Sequence, residues 1–160
     1  MKRAIVCLLF FVLNCGLGLA QNRSAAPEIE WVYVDSTSFQ DYYWNPKRLL
    51  ETSTGTLKAS VIIELNADNP DSLQELFNYR KKRGFEISGY SEFSHSLRVY
   101  EVDCKNRRLR ITAVVDYNKR GSALESLELE SGNWANLSPD SLADSLASTV
   151  CLYSNKNGVQ

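Results

Sequence analysis

Histidine is almost missing from this chain. Among 160 residues only His95 carries an imidazole, which excludes any centre that needs two or more. A basic surplus is missing too. Lys and Arg number 18 against 19 Asp and Glu, for a net charge of −1, whereas a nucleic-acid binder shows a strong excess of cations. The four cysteines include no C-x-x-C pair, so the usual redox and zinc spacings are absent. The phosphate-binding loop G-x-x-x-x-G-K-[ST], the dinucleotide fingerprint and the nucleophile elbow G-x-S-x-G are absent as well. The apolar run at 4–13 falls well short of the roughly twenty residues that span a bilayer core. What is present is the composition of one globular domain, 44% hydrophobic and 23% charged.

The N-terminus reads as an address. Lys2 and Arg3 precede the apolar run, and Gly18-Leu19-Ala20 follows it as a small-x-small cleavage signal. Residues 1–20 are therefore expected to be a signal peptide, and the small polar stretch 21–28 a linker. Lipidation at Cys15 is the one route to a membrane anchor, as an outer-membrane lipoprotein. It is disfavoured because Asn14 sits where a small residue is wanted. Removing residues 1–20 takes two cations and no acid, so sixteen cations face 19 acids and the charge becomes −3. Cys7 and Cys15 leave with the signal. Cys104 and Cys151 remain, and an isolated pair in an exported chain reads as a disulfide. Closing a loop of that length stabilises by about 4 kcal/mol in the chain-entropy model.

Along the mature chain, β-branched and aromatic residues predict strands over 28–34, within 39–44, briefly at 49–52, and over 56–65. Asn45-Pro46 ends the second of these. Asn69 is the expected N-cap of a helix with Pro70 in its first position, Leu73, Leu76 and Phe77 on its apolar stripe and Gly84 beyond its end. Strands at 97–104 and 107–115 flank Lys105-Asn106. If those two residues form the loop, Cys104 lies opposite Arg107, Asp103 opposite Arg108 and Glu101 opposite Arg110. The other face then pairs Val102 with Leu109 and Tyr100 with Ile111. A further strand is expected over 122–130, with a phase slip between Leu124 and Leu127 that suggests a bulge. A last helix should start from Ser138 as N-cap with Pro139 behind it, bury Leu142, Leu146 and Val150, and end at Cys151. Residues 154–160 read as a frayed tail.

Catalytic groups are hard to assemble from these residues. Ser94 and Ser96 flank His95, but neighbours on a strand point to opposite faces. Glu101 and Asp103 share a face, yet each has an arginine opposite. Asp68, Asn69 and Asp71 resemble part of a calcium loop that lacks its glycine and terminal glutamate, and helix capping accounts for them better. No catalytic residue, metal or cofactor is expected. Trp31 and Trp134 are read as core. Tyr42, Tyr43 and Trp44 are consecutive, so at least one must face outward. The run Arg80, Lys81, Lys82, Arg83 reads as a solvated helix end suited to the macrodipole. These seven residues are the candidate contacts for a partner.

Taken in order, the Trp31–Val34 strand, Tyr42-Tyr43, Tyr100-Glu101-Val102-Asp103-Cys104, Trp134, Ser138-Pro139-Asp140-Ser141 and Cys151 resemble the bacterial surface-adhesin protein E-like family over 29–153. The resemblance implies an α+β fold, a mostly antiparallel sheet with a C-terminal helix fastened by a Cys104–Cys151 disulfide. The helix at 69–83 is then an additional one, where the family pattern leads one to expect a loop. It also implies an exported, non-enzymatic protein at the cell surface that binds other proteins, from a host or from the bacterial envelope. The alternatives are a periplasmic accessory protein of an envelope complex and, ranked last, an envelope hydrolase.

Overall fold

The structure, a computed structural model, describes residues 30–129 and 132–158. The expected signal peptide, Cys15 and the linker lie outside them. Within them the chain forms a mostly antiparallel eight-stranded sheet and two helices. The strands are β1 (Val32–Ser36), β2 (Gln40–Trp44), β3 (Leu50–Glu51), β4 (Leu57–Leu65), β5 (Phe93–Asp103), β6 (Arg108–Asn118), β7 (Ala123–Glu128) and β8 (Ala135–Asn136). The helices are α1 (Ser72–Lys82) and α2 (Leu142–Asn157). The main path is β1-β2-β4-β5-β6-β7, with β3 paired to β4 and β8 to β6.

Alternation along each strand divides the sheet into two unlike faces. Trp44, Tyr42, Val61, Ile63, Tyr100, Val102 and Leu109 point inward. At one end of this face they meet Leu146, Ala147 and Val150 of α2. At the other end Leu76 of α1 packs with Tyr90, Phe93 and Phe39. Both helices therefore cover the same face. Cys104 leaves the tip of β5 on this side and bonds to Cys151 of α2, with Cα atoms 5.9 Å apart. The expected staple is in place, and the α+β class stands with it.

The β5–β6 register agrees with the sequence reading: Asp103 pairs with Arg108, Val102 with Leu109, Glu101 with Arg110 and Tyr100 with Ile111. The loop differs. A tight two-residue loop with the favoured twist needs positive φ at both positions, and Lys105-Asn106 does not supply it. Cys104 to Arg107 instead form a four-residue turn. Asp103 accepts hydrogen bonds from the backbone and side-chain N–H groups of Asn106, and Arg107 takes the left-handed conformation with φ 48°. The bulge expected in the seventh strand is present: Asp116 pairs with Glu125 and Tyr117 with Ala123, leaving Leu124 extra.

Both helices start later than the sequence suggests. Asn69 Oδ1 accepts the Asp71 N–H at 2.9 Å, closing a turn before the helix rather than capping it, and α1 begins at Ser72. Similarly, Asp140 adopts φ 59° and turns the chain after Pro139. Ser141 replaces Ser138 as the cap, its Oγ accepting the Asp144 N–H at 3.2 Å. At its other end α2 does not stop at Cys151, and the first residues of the expected frayed tail, 154–157, are helical; 159–160 lie outside the described residues. The helix continues to Asn157, where Gly158 in the left-handed region closes it. Tyr153, two residues beyond the expected end, lies edge-on against Trp44 at 5.2 Å between ring centroids.

Because the disulfide closes a long loop, with the cysteines 47 residues apart, replacing both by serine should remove about 2–4 kcal/mol of stability and lower the Tm by roughly 10 °C. Differential scanning calorimetry checks this, and an unchanged Tm counts against the staple. Leu146→Ala, at a side chain that is almost wholly buried, should cost about 2–5 kcal/mol in a urea titration.

Candidate functional site

The opposite face of the sheet has no helix over it among the described residues. Its most organised feature grows from the two ion pairs of the β5–β6 hairpin. Arg110 reaches Glu101 at 2.7 Å and Arg108 reaches Asp103 at 2.9 Å. The β6–β8 pairing sets Leu109 beside Ala135 and so brings the preceding residue, Trp134, over this hairpin. Its indole ring lies 4.7 Å from the guanidinium carbon of both Arg108 and Arg110. Gly132 makes the approach possible, since a Cβ there would stand only 2.5 Å from the Ile111 carbonyl oxygen.

Together with the 54–56 turn these residues enclose a groove of about 490 Å³, lined also by Lys105 and Asn106. A second groove of about 410 Å³ shares Glu101 and Arg110 with it and extends past Lys58 and Glu128. The carboxylates form the floor and are buried, while the aromatic ring and guanidinium planes form a wall. Burial alone pushes the Glu101 carboxyl up. Hydrogen bonds from Thr56 and Arg110, and the charges of Arg110 and Lys58, outweigh it and hold the carboxyl below its ordinary value. For Asp103 the side-chain hydrogen bond from Asn106 leads, and with its backbone bond and Arg108 overcomes burial to lower the carboxyl as well. Each arginine thus has its charge matched by a carboxylate and lies against the same tryptophan ring.

The sequence-derived candidates separate in the fold. Tyr42 and Trp44 point inward and are 7% and 2% exposed, so they lie in the core rather than on an accessible surface. Tyr43 is the member of that run on the open face, where Tyr33 meets it edge-on at 5.7 Å. Arg80 is also removed from the surface. It bonds Asp116 at 3.3 Å, Glu125 at 2.9 Å and the Glu86 carbonyl, and lies 3.8 Å over the Tyr90 ring. Tyr90 donates to Asp116 at 2.7 Å, and burial followed by this bond raises its phenol. Lys81, Lys82 and Arg83 remain exposed. Trp31 and Trp134, read as core, are only half-buried. The deepest tryptophan is Trp44, because the parity of β2 directs it toward α2.

His95 differs in one respect from regular alternation. A register shift between Phe93 and His95 lets the Ser94 hydroxyl and His95 Nδ1 approach to 3.1 Å, while the ring stacks on Tyr117. No carboxylate hydrogen-bonds that ring among the described residues, so the pair lacks the third member that would orient it for nucleophilic catalysis. Within the same residues, no group of three or more His, Cys, Asp or Glu is placed to hold a metal ion. No helix there is long and apolar enough to cross a membrane.

The family model described as surface-adhesin protein E matches residues 31–152, which take in every described strand and most of α2. No curated protein and no solved structure matches the chain.

Both lowered carboxyls stay charged in the fold at pH values where the unfolded chain takes up protons. Their contribution is complete above about pH 5 and disappears as the pH falls through the lowered values. Glu101→Gln with Asp103→Asn should therefore flatten the fall of stability below about pH 4 in urea titrations; an unchanged acid slope would separate the pair from acid unfolding. Arg80→Ala leaves Asp116 buried without its cation and should cost about 3–5 kcal/mol in the same titrations at pH 7.

Proposed function

This chain belongs to the surface-adhesin protein E family, and on that premise we propose that it is an exported, non-enzymatic binding protein that recognises other proteins at the bacterial cell surface. The observation that supports this most is the groove on the uncovered sheet face, where Trp134 lies between Arg108 and Arg110. Tryptophan and arginine are the side chains most often found to dominate protein–protein binding energy when a partner desolvates them. Holding them rigid in advance reduces the ordering cost of association. Because Glu101 and Asp103 neutralise the two cations, the wall offers planar donors and an aromatic edge rather than a bare positive patch. That suits contact with a folded protein surface. Tyr43 and Tyr33 extend the open face at the far edge of the sheet, and Lys81, Lys82 and Arg83 form a separate charged rim.

Location decides which proteins are in reach. Protease treatment of intact cells should digest the chain if it is displayed outside. Protection until the cells are permeabilised would overturn surface display and point to a periplasmic accessory of an envelope complex. Against immobilised extracellular-matrix proteins, Trp134→Ala should weaken binding by tenfold or more while leaving the Tm within a few degrees. Wild-type affinity in that variant would remove the groove from the contact.

A further inference from the structure

The covered face of the sheet holds another opening, beside α1, that the adhesin reading does not use. Ser96 and Arg98 lie two residues apart on β5 and so share this inward face. Ser96 Oγ and Arg98 Nε are both shut off from solvent, and neither has a hydrogen-bond partner. Buried polar atoms in folded proteins are nearly always paired, so two orphans on one strand are a notable exception. Both residues line a groove of about 440 Å³ whose walls are largely apolar, among them Phe39, Phe93 and Val114. Its rim carries Tyr79, Phe85, Leu127 and Leu129, which remain between 37% and 47% exposed. Large apolar side chains gathered around one opening mark a binding site more often than chance exposure.

Charge narrows the occupant. The groove's other cation, Arg80, is already matched by Asp116 and Glu125. Arg98 forms no ion pair among the described residues: its guanidinium shares a hydrogen bond with the Tyr100 side chain and feels the charge of Asp116, but no carboxylate pairs with it and Nε is left over. Tyr42 stands beside it with its phenol pushed up to about 12, by burial first, with Arg98 opposing. We propose that this groove binds a medium-chain aliphatic carboxylate, its head accepting hydrogen bonds from Arg98 Nε and Ser96 Oγ and its chain lying along Leu76, Tyr79, Phe85 and Leu127. A planar carboxylate brings one negative charge to one unmatched guanidinium and supplies the acceptors the two orphans lack. A phosphate monoester would bring a surplus of charge, and a cationic head would meet Arg98 directly. A peptide would place backbone N–H and C=O groups against an apolar rim with few partners for them.

The site lies on the opposite side of the sheet from the Trp134 groove, so either proposal can fail without the other. The test is calorimetric titration of the purified protein with sodium dodecanoate below its micellar concentration, beside dodecanol and dodecyltrimethylammonium. Dodecanoate should bind saturably at one per chain, dodecanol at least about tenfold more weakly, and the cation not at all. Arg98→Met, which keeps length and removes charge, should lower dodecanoate affinity at least tenfold and leave dodecanol unchanged. Ser96→Ala should weaken dodecanoate severalfold and gives the head-group readout if Arg98→Met does not fold. Leu127→Ser, at an exposed rim position, should weaken dodecanoate and dodecanol alike. No saturable dodecanoate binding would overturn the proposal. So would equal affinity for the three head groups, or full affinity in both the Arg98 and Ser96 variants.

Discussion

A one-residue slip of β5 against β6 would carry Tyr100 and Val102 to solvent and drive Glu101 and Asp103 toward α2, away from their arginines on β6. The register of this hairpin is the constraint on which the remaining structure depends. It aims Cys104 at the helix side, so that the disulfide can hold α2 against Val61 and Val102. On the reverse side it sets two acid–arginine pairs next to each other, so that Trp134 lies against two guanidinium groups whose charges are already matched. Successive residues of one strand supply both features.

Charge is handled differently on the two faces. The pairs on the open side are partly wet, and exposed pairs contribute little stability by themselves. Their role there is to fix the orientation of planar groups. Beneath α1, by contrast, Arg80, Asp116, Glu125 and Tyr90 form a largely buried cluster in which all three guanidinium nitrogens of Arg80 and the Tyr90 hydroxyl are hydrogen-bonded. A buried guanidinium is tolerated where hydrogen bonds replace its hydration. Arg98, a short distance along the same face, lacks that full set. The contrast between two arginines in one sheet is what separates a structural residue from a candidate ligand contact.

Much of the architecture was legible because strand parity is local. Reading 97–115 as a hairpin was enough to place both ion pairs, the apolar pairs and the cysteine on their proper faces, and the phase slip at Leu124 announced the bulge. The candidate site was harder to read. Tyr42, Tyr43 and Trp44 were grouped as neighbours in sequence, but parity sends two of them into the core and one outward. The basic run dissolved for the same reason: helical spacing turns Arg80 inward, while Lys81, Lys82 and Arg83 stay in water. One signal was available and went unused, for Arg98 falls on the same face as Tyr100 and Val102 by simple alternation, where a charge is out of place.

The sequence by itself determined the composition class, most of the strands and the hairpin register, which follow from periodicity and short spacings; it also left Cys104 and Cys151 as the one pair for a disulfide and carried the motifs of the family resemblance. Tertiary structure alone decided where the helices begin and end, because side-chain caps at Asn69 and Ser138 compete with turn geometry a few residues on. It also decided that Trp134 faces two arginines and that no carboxylate arrives to pair with Arg98. Those outcomes depend on which distant segments arrive over a given strand, and no local pattern encodes that.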